Sequence, residues 1–184
     1  MVYRMNIAGI DHDLPLCRVT DDLYIGAFVV FGHAKLTVAC ARELLKRAPE
    51  YDYIITAEAK GIPLAHEMAR QNEDETYFIA RKYPKLYMTG VFEVVVRSIT
   101  TDKEQKLYLD TAEADKMRGK RVLIVDDVIS TGESIAALET LVKQAGGIIV
   151  GKMAVLAEGD AQSRDDIIYL EKLPLFNADG TVKA

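Results

Sequence analysis

The stretch RVLIVDDVISTGES, residues 121–134, decides how the rest of the chain is read. Val122, Leu123, Ile124 and Val125 form the β-branched-rich run expected of a buried strand. Asp126 and Asp127 then mark its carboxyl end, and a short run of Ser, Thr and Gly follows. Gly132 can turn the chain at low steric cost. Beyond it, Ile135, Leu138, Leu141, Val142 and Ala145 fall on one face of a helix. The stretch therefore predicts a strand, an acidic tip, a tight loop and a helix N-terminus.

Outward from this junction the same alternation recurs. HAKLTVACARELLKRA at 33–48 predicts a helix with Leu36, Cys40, Leu44 and Ala48 on its apolar side. YDYIITA at 51–57 predicts a strand, and GIPLAHEMARQ then opens a helix with Pro63 in its first turn and Leu64, Ala65 and Met68 turned inward. A short strand is expected at 76–80, another at 91–99, and its return at 106–109. Between the last two, TTDKEQ at 100–105 reads as either a hairpin loop or a mobile lid. GIIVGKMAVLAEG supplies a further strand, and NADGTVKA at 177–184 reads as a terminal tail. Alternating strands and helices predict an α/β fold: a mostly parallel sheet flanked by helices, with functional residues beyond the carboxyl ends of the strands.

Composition narrows the class. A chain of 184 residues is most economically a single domain, 1–184, with a small accessory hood to which residues 1–32 and the C-terminal segment contribute. Apolar residues make up 49% and charged residues 28%, so folding is expected rather than disorder. With 23 Lys and Arg against 28 Asp and Glu, the net charge of -5 gives no general reason to expect nucleic-acid binding. The opening MVYRMNIAGIDHD has no sustained apolar core, and no later run approaches 18 apolar residues. No membrane association and a cytoplasmic location are the resulting expectations. Cys17 and Cys40 lack a CxxC spacing and read as small buried hydrophobes, while His12, His33 and His66 lack an HExxH pattern.

Two junctions carry chemistry. A Ser/Thr/Gly turn feeding a helix can aim backbone N–H groups and the positive helix end at phosphate, which makes Ser130, Thr131, Gly132, Glu133 and Ser134 candidates. Such turns also cap helices without binding anything. Glu133 suits an anion site only if its side chain points away. Adjacent carboxylates at a strand tip suit two ribose hydroxyls or a hydrated divalent cation. The second junction, after the strand at 51–57, carries Glu58 and Lys60. A Walker site would need a Gly-rich loop ending in Gly-Lys-Ser/Thr, and a dinucleotide fold its early glycine fingerprint; neither is present.

VLIVDDVISTGES resembles the phosphoribosyl-diphosphate signature of the type I phosphoribosyltransferases. TAEAKGIPLA at 56–65, ARKYPKL at 80–86 and the ending DDIIYLEKLPLF resemble the adenine and xanthine branch of the purine enzymes. Together these segments span most of residues 33–176. The resemblance implies transfer of a 5-phosphoribosyl group to a purine nitrogen with release of diphosphate, adenine being the expected base and AMP the product. Xanthine, hypoxanthine or guanine are the alternative bases, and a regulator that binds phosphoribosyl diphosphate without turnover is the alternative class.

It further implies that the signature, Val128 and Ile129 included, binds the phosphoribosyl group, with the turn clasping the 5′-phosphate and Asp126 and Asp127 on the ribose hydroxyls. Ala59, Lys60 and Gly61, preceded by Glu58, would form the diphosphate loop. Arg81, Lys82 and Lys85 would contact diphosphate, in some cases from a neighbouring subunit, whence an expected homodimer. Lys103 and Glu104 would approach diphosphate or the base as catalytic groups, although SITTDKEQKLYLD departs from the Glu, Tyr and Gly pattern of adenine enzymes. Magnesium (Mg2+) is the implied cofactor, held by diphosphate, ribose hydroxyls and water with few or no direct protein ligands.

Overall fold

The computed structural model describes residues 1–97 and 104–183. Its centre is a five-stranded, wholly parallel sheet of order β10-β9-β8-β4-β5, built from β4 (Tyr53–Ala57), β5 (Phe78–Ala80), β8 (Arg121–Ile129), β9 (Ile148–Glu158) and β10 (Ile168–Leu173). The chain moves outward from β4 to β5, then returns to β8 on the other side of β4. This reversal opens a crevice between the carboxyl ends of β4 and β8, where open α/β sheets bind ligands. Both chemical junctions lie there.

Each face of the sheet is covered, which explains why its central strands are apolar throughout. On one face α4 (Glu133–Gln144) and α3 (Thr111–Met117) pack with the hairpin β6 (Val91–Arg97) and β7 (Glu104–Asp110), joining Leu138, Leu141, Met117 and Leu109 to Ile55, Val122 and Ile124 of the sheet. On the other face α1 (Ala34–Leu45) and α2 (Ile62–Gln71) bring Leu36, Cys40, Leu64 and Met68 against Ile54, Leu123 and Val125. Leu123 and Ile124 thus serve opposite cores, as the period of two requires.

A second, four-stranded sheet of order β1-β2-β3-β11 stands over this latter face. It joins β1 (Val2–Ile7), β2 (Ile10–Arg18) and β3 (Tyr24–Gly26) to β11 (Leu175–Phe176) from the far end of the chain, all pairings being antiparallel. Ala8 and Gly9, at φ 51 and 81, make the tight reversal between β1 and β2 that two left-handed residues allow. Ile7 and Leu14 enter the core shared with α1 and α2.

Several expectations from the sequence are corrected. The acid pair does not end β8, which continues to Ile129, so the carboxylates lie within a paired, buried strand and not at a solvated tip. Glu104 and Gln105 belong to β7 rather than to the loop; residues 98–103 lie outside the described residues. Helix α1 stops at Leu45, leaving Ala48 beyond its end. Cys17 is exposed, because β2 directs it away from the core that takes Leu14; Cys40 is buried. The C-terminal segment is tied down by a turn in which Gly180 N–H donates to the Asn177 carbonyl, and Val182 bridges to Phe176. Among the described residues, no helix is long and apolar enough to cross a membrane.

Candidate active site

Asp126 and Asp127 are 9% and 3% exposed, side by side where β8 faces the crevice. Burial first, and the adjacent Asp127 second, push the Asp126 carboxyl up to about 7. Asp126 Oδ1 accepts the Asp127 backbone N–H at 2.8 Å. Lys60 Nζ lies 3.3 Å from Asp127 Oδ2, but that oxygen has no aligned hydrogen-bond donor, so the contact is Coulombic rather than a formed hydrogen bond. Lys60 is half exposed and leaves the acid pair open to a better partner.

The turn after β8 is shaped for an anion. Gly132 caps α4 at φ 80, in the left-handed region, and no side chain caps the helix. Glu133 N–H meets Thr131 Oγ at a long 3.5 Å. The N-cap glycine thus brings no side chain to the first turn of this twelve-residue helix, and the positive end of its dipole faces the same way.

Facing it, the loop at 58–61 joins β4 to α2. Gly61 is required by space: a Cβ there would stand 2.2 Å from Thr56 Oγ1 and 3.1 Å from Asp126 Oδ1. The loop backbone thus presses directly on the acid pair. Glu58 gathers the basic segment, accepting from Arg81 Nη1 at 3.2 Å and from the Lys82 backbone N–H at 3.1 Å, with Lys85 Nζ 3.4 Å away. Burial works to raise its pKa, but the Lys82 N–H, Lys85 and Arg81 outweigh it and hold the carboxyl below its ordinary value. Two of the three cations expected on diphosphate are thereby engaged by Glu58.

One cavity of about 540 Å³ unites these parts. Glu58, Ala59, Lys60, Lys82, Asp126, Asp127, Val128, Ser130 and Ser134 line it, as the sequence suggests. Thr131 and Glu133 line an adjoining cavity instead. Arg81 and Lys85 stand behind Glu58, outside the wall. Ile129 is a correction: at 1% exposure it packs under α4, and its side chain is core, not ligand wall. Lys103 lies outside the described residues, as does the side chain of Glu104, and Gln105 is the neighbour that reaches the cavity.

Sequence reasoning missed the roof, formed by Ile25, Gly26, Ala27, Phe28 and Val29 with Leu173, and it missed Glu158 at the end of β9. Glu158 could have been found from the rule that already selected Glu58, since it is an acid at the carboxyl end of a buried parallel strand adjacent to β8. Burial raises its carboxyl, opposed by Lys60. The roof carries no polar signal and is assembled from distant parts of the chain.

Two outcomes follow from this packing. Gly61→Ala should lower stability by about 1–3 kcal/mol in urea unfolding, since its methyl must displace Thr56 and Asp126 within a packed wall. For Asp126 the folded pKa of about 7 exceeds the ordinary value of 3.8, so the folded state retains a proton that the unfolded state releases. Stability is lost as pH rises between those two values, and the full cost is present above the upper one. Asp126→Asn removes that cost. Its stability relative to wild type should improve by roughly 1–3 kcal/mol between pH 5 and pH 8, and a pH-independent gap would contradict the assignment.

Comparison with known proteins places this geometry. The family described as Phosphoribosyl transferase domain matches residues 33–178, which include both junctions and the strand between them. Hypoxanthine/guanine phosphoribosyltransferase of Methanococcus voltae is 38% identical over 113 residues, covering 61% of this chain and 56% of that protein. The enzyme of the same name from Methanocella paludicola is 34% identical over 143 residues, covering 77% of this chain and 69% of its own length. The chain thus spans little more than half the length of the first of these relatives. Among solved structures, adenine phosphoribosyltransferase from Thermoanaerobacter pseudethanolicus superposes with a TM-score of 0.65 at 26% identity, over 78% of this chain and 84% of that one. Adenine phosphoribosyltransferase from Rhodothermus marinus shares the fold over 94% of both chains, with a TM-score of 0.64 and 22% identity. The crevice at the sheet reversal, with its buried acids and uncapped helix, lies within the matched segment, and the chain belongs to the phosphoribosyl transferase domain family with the type I fold.

Proposed function

We propose that the protein is a purine phosphoribosyltransferase that joins a 6-oxopurine, hypoxanthine or guanine, to the ribosyl carbon of 5-phosphoribosyl diphosphate. The observation that carries the reading is the single cavity in which the acid pair, Ser130 and Ser134 of the anion turn, Lys60 and an apolar roof meet. Each part has a matching portion of the two substrates. The turn at 130–134 takes the 5′-phosphate through backbone N–H groups and hydroxyls. Asp126 and Asp127 accept from the ribose hydroxyls, which supplies the donor that Asp127 Oδ2 lacks. Ala59, Lys60, Gly61 and Lys82 face the diphosphate, while Arg81 and Lys85 act through Glu58 in placing that segment.

In the reaction the bond from the anomeric carbon to a diphosphate oxygen breaks and a bond to a purine ring nitrogen forms. The displaced N–H proton passes to solvent or a nearby base, and diphosphate departs with the bonding pair. Positive charge develops on the sugar and negative charge on the leaving group. Ionised acids beneath the sugar and cations beside the diphosphate stabilise the two ends, so no covalent enzyme intermediate is needed. Magnesium fits this site as a substrate-borne ion, because Glu58, Asp126, Asp127 and Glu158 bring four carboxylates to the cavity that the diphosphate would enter. When bound it would neutralise diphosphate charge, with Asp126 and Asp127 reaching it through ribose hydroxyls or water.

The base would lie between Val128 and the roof, with Glu158 at the cavity's edge. A carboxylate there accepts from the N1–H of a 6-oxopurine and, in guanine, from the 2-amino group as well. Adenine offers an acceptor at N1 and lacks this match. The curated relatives named for hypoxanthine and guanine support this choice over adenine, which the sequence motifs favour. Adenine remains the second reading because the superposed Thermoanaerobacter enzyme acts in that name. The phosphorylated substrates are consistent with a cytoplasmic setting.

The test is a panel of hypoxanthine, guanine, xanthine and adenine with phosphoribosyl diphosphate and magnesium, followed for nucleotide and for diphosphate. Nucleotide from hypoxanthine and guanine is expected, with Glu158→Gln cutting guanine turnover by about tenfold or more relative to hypoxanthine. Conversion of adenine alone reverses the base assignment. Tight binding without diphosphate release from any base makes the protein a regulator.

A homodimer is part of the same proposal. Tyr83, Leu86 and Tyr87 are exposed beside Lys82 and Lys85, an apolar surface next to the diphosphate wall that a second copy can cover. Sedimentation equilibrium at assay concentration should give twice the chain mass, and a fully active monomer would remove the partner from the site.

A further inference from the structure

Arg164 follows the 3₁₀ turn, Gly159–Ser163, that leaves β9. No sequence motif singles it out. Its guanidinium is clamped on two edges: Nε donates to Asp166 Oδ1 at 2.8 Å and Nη2 to Oδ2 at 2.7 Å. Asp166 is also paired with Lys152 of β9, and Lys152 Nζ donates to Glu139 Oε1 of α4 at 2.8 Å. The Lys152 side chain is only 13% exposed, so this network is anchored in the packing between strand and helix.

With Nε and Nη2 committed to Asp166, Nη1 is the atom presented to the turn. It stands 2.6 Å from the point that a Cβ on Gly132 would occupy. Glycine at this position therefore serves twice, admitting φ 80 and admitting the guanidinium. Arg164 also shares the adjoining cavity, about 530 Å³, with Ser130, Thr131 and Glu133.

The charge arithmetic gives this placement a purpose. Glu133 is the first residue of α4, where a carboxylate suits the helix dipole but opposes a phosphate dianion bound at the same end. The guanidinium, its Nε and Nη2 shared with Asp166, leaves Nη1 as positive charge beside Gly132, where it counters part of that repulsion. An ordinary, partly exposed ion pair would add little to stability. The bidentate fork and the Lys152 anchor instead fix the direction of the charge.

We propose that Arg164 is a positioning residue of the anion turn: held by Asp166 and Lys152, it offsets Glu133 and raises the affinity of the turn for the 5′-phosphate. The inference rests on the turn being the phosphate site. Its consequence is a selective loss of affinity for the phosphate end of the substrate when the charge is removed.

Calorimetric binding of ribose 5-phosphate and, separately, of inorganic diphosphate to the full chain tests it in wild type, Arg164→Gln, Arg164→Lys and the Glu133→Gln/Arg164→Gln double variant. Arg164→Gln should weaken ribose 5-phosphate about tenfold while leaving diphosphate within about twofold, and R164K should recover part of the loss because it keeps the charge without the fork. The double variant should return to within about threefold of wild type, since both charges are gone. In turnover, the KM for phosphoribosyl diphosphate should rise more than kcat falls. If R164Q does not fold, R164K carries the test through a smaller loss confined to ribose 5-phosphate. Wild-type affinity in R164Q, equal losses for both ligands, or no recovery in the double variant overturns the inference. Failure of the wild-type protein itself to bind ribose 5-phosphate overturns the phosphate reading on which it stands.

Discussion

Two neighbouring carboxylates inside a paired strand are the constraint around which this crevice is arranged. Asp126 and Asp127 cannot both ionise in a dry, unpartnered setting. The structure answers with an Asp126 carboxyl whose pKa is pushed up by burial and by its neighbour, a backbone N–H from Asp127, and the Lys60 ammonium on the Asp127 side. Each answer is partial. The Lys60 contact is Coulombic, and Asp127 Oδ2 has no aligned donor. A ligand rich in hydroxyls would complete what the protein leaves open and so relieve a cost that folding has already imposed. The tight approach of Gly61 follows from the same constraint, because any side chain there would separate the loop from the acids.

The cations are arranged by the complementary rule. Glu58 collects Arg81, Lys85 and the Lys82 backbone N–H, and so ties the segment after β5 to the loop after β4. Lys152 does similar work at the opposite end, joining Glu139 of α4 to Asp166. In both places positive groups are positioned by internal acids before any ligand arrives. Preorganised charge of this kind needs little rearrangement when a polyanion enters.

The central sheet, its flanking helices and the acid-and-turn junction were legible because their signals are local. Val122 to Val125, the Pro63 start and the stripe from Ile135 to Ala145 each lie within one element, and the structure buries the inward positions they name. The roof was not legible. Pro15 interrupts the pattern of β2, the reversal at Ala8 and Gly9 lacks the usual Asn-Gly signal, and β11 contributes only two residues from the other end of the chain. Helix α3 could have been read, since Asp110 caps it through the Ala112 N–H at 3.0 Å and Glu113 follows three residues later. Ile129 was assigned to the ligand by its place in a motif, whereas packing under α4 decides its role.

This division of the site has a functional consequence. The acid pair, the turn at 130–134 and the Lys60 loop come from two strand ends of one parallel sheet, where a small displacement would disturb the buried acids. The roof over Val128 comes from a separate antiparallel sheet whose strands meet across the ends of the chain, with Glu158 and Leu173 completing the wall. Substitutions in the roof can alter which base edge is met without touching the charge arrangement below. A chain can then share its sheet and fold with adenine enzymes while sharing more of its sequence with proteins named for hypoxanthine and guanine. On the proposed reading, the side chains that meet the base are few and, Val128 apart, lie outside the phosphoribosyl signature.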